Sequence, residues 1–160
     1  MTSALSLINV VRDNLRTNLT DPITLTSGSP LARTGSNWIF ADEPNSVKSY
    51  PMIELEKVDN PTTNISIGPN YTNHEMVFIN IWCYVKNGFT ITTSGVSYKN
   101  AQVVEYMLNS IKTTLKAQFS SLNTNCAGGF RVLNSAPIEY DPDTQLYYSQ
   151  VSVRVWYFWT

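Results

Sequence analysis

The run Tyr147 to Thr160 (YYSQVSVRVWYFWT) reads as a strand whose two faces make opposite demands on any fold that contains it. Strand side chains alternate between faces. Tyr147, Ser149, Val151, Val153, Val155, Tyr157 and Trp159 therefore share one side, and Tyr148, Gln150, Ser152, Arg154, Trp156 and Phe158 share the other. The first set reads as core. The second begins polar and turns aromatic, and each large aromatic buries roughly 150 to 250 Å². Trp156, Phe158 and their neighbours thus supply about half or more of one partner's share of a standard interface, roughly 800 Å² per side. One face needs a core of the chain's own, and the other is expected to meet another molecule.

The same pattern recurs upstream. In Glu75 to Lys86 (EMVFINIWCYVK), Val77, Ile79, Ile81, Cys83 and Val85 make an aliphatic face, while Met76, Phe78, Asn80, Trp82 and Tyr84 make one too aromatic for plain solvent. Met52 to Val58 (MIELEKV) alternates with Ile53 and Leu55 inward and Glu54 and Glu56 outward, the pattern of a half-buried strand. Phe130 to Tyr140 reads as a further strand weakened by Pro137, joined to the terminal strand by the turn Asp141-Pro-Asp-Thr-Gln.

Two stretches have helical spacing. Ser3 is placed to cap a helix reaching about Leu19, with Leu5, Ile8, Val11, Leu15 and Leu19 on one stripe and Asp21-Pro22 as its stop. After Asn87-Gly88 and a Thr-rich crossing, a second helix is expected from about Tyr98 to Leu122, with Ala101, Val104, Leu108, Ile111, Leu115 and Leu122 as its apolar stripe. Between the first helix and the first strand, residues 23–50 form a long excursion punctuated by Gly28, Pro30, Gly35 and Pro44, with room for a small hairpin. A connection of this length is commonly functional. With its apolar Trp38 and Phe40, it is expected to act as an arm toward a neighbour. The fold class that follows is α+β: a largely antiparallel sheet of four to five strands, two helices on one face, order α-β-β-α-β-β, in one domain spanning 1–160.

Composition narrows the function. Charged residues make up 14% of the chain, against roughly 25% in an average soluble domain. The formal net charge of −1 excludes the global basic field of a nucleic-acid binder and favours association. No apolar run reaches the length of a membrane helix, and the opening MTSALSLINVVRD lacks the basic start of a secretory signal, so a soluble, cytoplasmic chain is expected. Cys83 and Cys126 show neither CxxC nor Cys/His ligand spacing, so no metal or disulfide is expected.

The sole histidine, His74, is expected in a loop with no partner for a catalytic triad. Asp141 and Asp143 fit ordinary turn chemistry better than a calcium loop. Glu54 and Glu56 fit a solvated strand face better than an acid/base pair. No phosphate loop, dinucleotide fingerprint or metalloprotease helix is present. The expectation is a protein without catalytic residues or cofactor.

A short helix, a long polar excursion, strands opening at Tyr50-Pro-Met-Ile-Glu-Leu and Met76-Val-Phe-Ile-Asn-Ile, an amphipathic helix and a closing pair ending Val151-Ser-Val-Arg-Val-Trp resemble the tail terminator family of long-tailed phages and related viruses. The resemblance covers most of the chain and lies in architecture. It implies a homo-oligomeric ring, hexameric in that family, at the head-proximal end of the tail tube. Such a ring ends tube polymerisation and joins the tail to head-completion proteins. Its partners would be the major tail tube protein and a neck protein, with DNA only in transit, and its place the virion's head–tail junction after assembly in the host cytoplasm.

A ring needs heterologous contacts, for which Trp82, Tyr84, Trp156 and Phe158 on the sheet and Trp38 and Phe40 on the excursion are the candidates. A lumen that passes DNA should be neutral or acidic, and Glu54, Glu56 and Asp59 are candidates to line it. The competing reading is a small-molecule or carbohydrate binding module built on the same exposed sheet aromatics.

Overall fold

The computed structural model describes residues 4–28, 31–41, 49–58, 73–126 and 129–159. Helix α1 (Ala4–Asn18) ends ahead of Asp21-Pro22, as the sequence predicts, and buries Leu7, Ile8, Val11 and Leu15. The expected cap at Ser3 lies outside the described residues. Two short 3-10 turns, Pro22–Leu25 and Thr34–Ser36, lead to strand β1 (Ile39–Ala41), followed by β2 (Met52–Val58) and the long β3 (Asn73–Lys86). A hairpin, β4 (Thr90–Thr93) and β5 (Val96–Lys99), precedes helices α2 (Ala101–Ala117) and α3 (Phe119–Cys126). The chain then forms β6 (Gly129–Ser135), β7 (Glu139–Asp141) and β8 (Leu146–Trp159).

The sheet runs β1-β2-β3-β8-β6, and β7 pairs with the part of β8 that β6 leaves open. All pairings are antiparallel except β1 with β2, so the fold is the expected α+β with a mostly antiparallel sheet. β3 and β8 pair without interruption from Asn73↔Trp159 to Lys86↔Leu146 and form the centre of the sheet. The break between β6 and β7 falls at Pro137, whose ring removes a ladder donor. There the chain is held instead by Ala136 N donating to Gln150 O (2.8 Å) and Ser149 Oγ donating to Ala136 O (2.8 Å).

One face of the sheet carries the core. Ile53, Leu55, Val77, Ile79, Ile81, Cys83, Val85, Val151, Val153 and Val155 are all at most 1% exposed and pack with the apolar stripes of α1 and α2. The predicted second helix is interrupted near Gln118, whose N–H still donates to Thr114 O while its carbonyl accepts from Leu122 N. The apolar stripe therefore carries across the break to Leu122, which is buried.

Three expectations are corrected. The Thr-rich crossing is a hairpin: Ser94 and Gly95 both take positive φ (49° and 77°), which is the turn that matches strand twist, and Ile91 drops into the core. The described part of the excursion is not a free arm. Asp21 accepts from Arg33 N, Nε and Nη2 and from Ile23 N (2.7 to 3.1 Å), and Arg33 also donates to the carbonyls of Ser49 and Pro51. Arg16 of α1 donates to Ile39 O (2.6 and 3.0 Å), and Ile53 N to Trp38 O (2.7 Å), which seats β1 against β2 in parallel. His74 lies within β3, not in a loop before it.

Candidate functional site

The opposite face of the sheet is the candidate site. The register sets its rows, because directly paired residues project to the same side. Phe40, Glu54, Trp82 and Gln150 stand in one row across β1, β2, β3 and β8. Met52, Tyr84, Tyr148 and Glu139 form the next row on one side, and Glu56, Asn80 and Ser152 the next on the other. Beyond them lie Val58, Phe78, Arg154 and Arg131, then Met76 beside Trp156.

Trp82, Tyr84 and Tyr148 form a triangle with ring centroids 6.2 to 6.3 Å apart, within the range of favourable aromatic pairs. All three are half-buried, whereas Trp156 at the far end is 38% exposed. Carboxylates fix the polar tips of the triangle. Trp82 Nε1 donates to Glu56 Oε2 (3.0 Å) and the Tyr148 hydroxyl to Glu139 Oε2 (2.8 Å). Burial, then the charges of Glu54 and Glu56, push the Tyr84 hydroxyl above the ordinary tyrosine pKa, and the hydrogen bond to Glu139 raises that of Tyr148. Both phenols stay neutral donors at physiological pH. At the other end, the Arg154 guanidinium lies 4.7 Å from the Trp156 ring centroid. Ser152 Oγ donates to Asn80 Oδ1 (2.7 Å) between the two ends, and the buried Gln150 Oε1 has no donor among the described residues.

The structure brings Trp82, Tyr84, Trp156 and Phe40 onto one face, together with Glu54 and Glu56. The backbone of Phe158 continues β8 opposite His74, and its side chain lies outside the described residues, as does Asp59. Trp38 does not join this face. It is 2% exposed, with Arg33 5.6 Å from its ring centroid, so it is core and offers no surface for a neighbour. Glu56, a candidate for the lumen, is hydrogen-bonded to Trp82, a candidate for the contact, so the two sets of candidates share one face.

Other candidates resolve simply. Cys83 is fully buried, and burial pushes its thiol up, which removes it as a nucleophile. Asp141 accepts from Asp143 N (2.9 Å) and Thr144 Oγ1 (2.6 Å), which holds its carboxyl below the usual range within an ordinary turn. No group of three or more potential metal ligands occurs among the described residues.

Sequence reasoning missed a cleft of about 540 Å³ on the helical side, between the C-terminal end of α1 and α2. Leu19, Trp38, Tyr106, Glu105 and Ser110 line it, with Tyr98 and Tyr106 5.6 Å apart at its wall. Its walls come from segments some eighty residues apart in the chain, so no local pattern announces it. No protein-family model matches the chain, and no curated protein matches it.

Proposed function

We propose that the chain is a viral structural protein of the tail terminator kind, which assembles into a ring, ends polymerisation of the tail tube and joins the tail to the head-completion proteins. The observation that carries this reading is the division of the sheet: among the described residues α1 and α2 pack on one face, and the other holds half-buried aromatic residues extending to Trp156, which is exposed. A face rich in aromatic residues is suited to permanent association. The low charge content points the same way. In this reading Trp82, Tyr84 and Trp156 meet another copy or the tube, Glu54 and Glu56 act within that contact rather than on a separate lumen wall, and DNA only passes through. Neither a cofactor nor catalysis is invoked.

The test is assembly. Light scattering and negative-stain microscopy of the purified chain, alone and with the major tail tube protein, are expected to give rings that cap the tubes. A monomer that neither forms rings nor limits tube length overturns the proposal. Trp156→Ser is expected to weaken assembly while leaving the melting temperature within a few degrees of wild type.

A second reading, a small-molecule or carbohydrate module, is favoured by the Trp82–Tyr84–Tyr148 triangle, whose rings could stack a sugar. A stable monomer whose tryptophan fluorescence responds to an oligosaccharide would support it.

A further inference from the structure

The cleft on the helical side joins an apolar floor to a rim of different chemistry. Trp38, Ile53 and Met107 line it at no more than 2% exposure and form the floor with Leu19 and Pro22. The rim is a ladder on α2. Gln102, Glu105, Tyr106, Asn109, Ser110 and Thr113 recur there at three- and four-residue steps, which places them on one side of the helix. At about 540 Å³, apolar below and polar at its edge, the cleft has the size and make-up of a small-molecule site.

Its charge has one sign. Glu105 is the only charged side chain among the described residues that line the cleft, and it is exposed. The ion pairs among the described residues, Arg12–Asp13 and Arg33–Asp21, do not include it. Helix α1 ends at the same cleft with Asn18, so the partial negative charge of a helix C-terminus adds to the carboxylate. Two guanidiniums stand close by and are committed elsewhere. Arg16 donates to Ile39 O, Arg33 beside Trp38 is paired with Asp21, and neither lines the cleft.

Tyr106 follows Glu105 in the chain, and its ring stands 5.6 Å from that of Tyr98, tilted by 40°. Two aromatic walls beside a carboxylate are the elements that hold an organic cation, through the ring quadrupoles and one ion pair. An anion would find no cation among the described lining residues to receive it. A hydrocarbon would cover Glu105 and give its charge no partner.

We infer that this cleft binds a small organic cation, an ammonium group carried on an apolar body. The body rests on Trp38, Ile53 and Met107, and the ammonium lies between Glu105 and the rings of Tyr98 and Tyr106. The inference goes beyond ring assembly and does not depend on it, since Trp82 and Trp156 lie on the other face of the sheet.

The test titrates the full chain with phenethylammonium, phenethyl alcohol and phenylacetate, which share a ring and differ in the charge of the head. Calorimetry is expected to show saturable binding of the ammonium, roughly tenfold or more tighter than the alcohol, and weakest binding of the carboxylate. Glu105→Gln is expected to bring the ammonium down to the level of the alcohol. Tyr98→Leu is expected to weaken the ammonium more than the alcohol. Circular dichroism establishes that the variants are folded. If Glu105→Gln is not, Asn109→Lys, which sets a cation one helical turn along the same ladder, takes its place and is expected to abolish the preference for the ammonium.

Nuclear magnetic resonance of the labelled protein places the ligand, with shifts expected at the Trp38 indole N–H and along residues 102–110. Four results overturn the inference. They are no saturable binding of phenethylammonium, equal affinity for the three probes, a folded Glu105→Gln or Asn109→Lys that keeps the preference, and shifts confined to Trp82 and Trp156. None of these bears on whether the chain assembles into a ring.

Discussion

The two faces of β3 belong to one strand yet live in different surroundings. Val77, Ile79, Ile81, Cys83 and Val85 are sealed beneath α1 and α2 at no more than 1% exposure, while Met76, Phe78, Asn80, Trp82 and Tyr84 on the reverse are all half-buried. The sealed face is uniform and aliphatic. The open face mixes aromatic rings, amides and charges joined by directed hydrogen bonds. A core needs only volume and apolarity, whereas a recognition surface needs groups that specify what lies on it. The contrast therefore predicts that changes on the sealed face cost stability and changes on the open face cost association.

The largest effect tests the sealed face. Ile81→Ala is expected to destabilise the chain by about 4 kcal/mol, since a fully buried side chain leaves a cavity that the surrounding strands and helices close only in part. Chemical denaturation checks this, and a loss below about 1 kcal/mol would show that the covering helices are loosely seated.

Next comes the fastening of the layer beside that core. Asp21→Asn leaves Arg33 without its carboxylate partner and is expected to cost about 3 kcal/mol. The same pair sets an acid limit. Burial alone would raise the Asp21 carboxyl, but hydrogen bonds from the Arg33 side chain and backbone and from Ile23 N, with the Arg33 charge, outweigh it and leave the pKa below the usual value. Stability from this pair is therefore present above the unfolded carboxylate pKa of about 4 and is lost as pH falls through the lowered folded value. Acid titrations of wild type and Asp21→Asn should differ in that window, and identical curves would remove Asp21 as its source.

The open face should respond at the other end of the scale. The Tyr84 hydroxyl is raised by burial and by Glu54 and Glu56, so its stabilising share is complete below about pH 10 and declines as the phenol ionises above it. Tyr84→Phe should flatten the alkaline limb of the stability profile. The smallest effect is expected for Trp82→Phe, about 1 kcal/mol for the indole bond to Glu56, with a larger loss in self-association than in melting temperature. The reverse ranking would make the open face a part of the core.

What was legible follows from periodicity. The two-residue alternation of 75–86 and 147–160 placed Val77, Ile79, Ile81, Val85, Val151, Val153 and Val155 on their observed face, because that face had to be buried. The helical stripes were equally clear in Leu15, Val104, Ile111 and Leu115. The β4–β5 hairpin also had its signal, Ser94-Gly95 between Thr-Ile-Thr-Thr and Val-Ser-Tyr, and its shortness hid it.

β1 had none, since a parallel pair of three residues is specified by partners elsewhere: Arg16 on α1, Trp38 in the core and Ile53 on β2. So too with Trp38, whose apolarity suited a contact surface or a core equally. The sequence by itself determined which side chains share a face, because alternation is a property of the local backbone. Tertiary structure alone decided that β8 lies between β3 and β6, that Glu56 meets Trp82, and that Arg131 stands opposite Arg154. These are pairings between residues distant along the chain, and strand order and register set them.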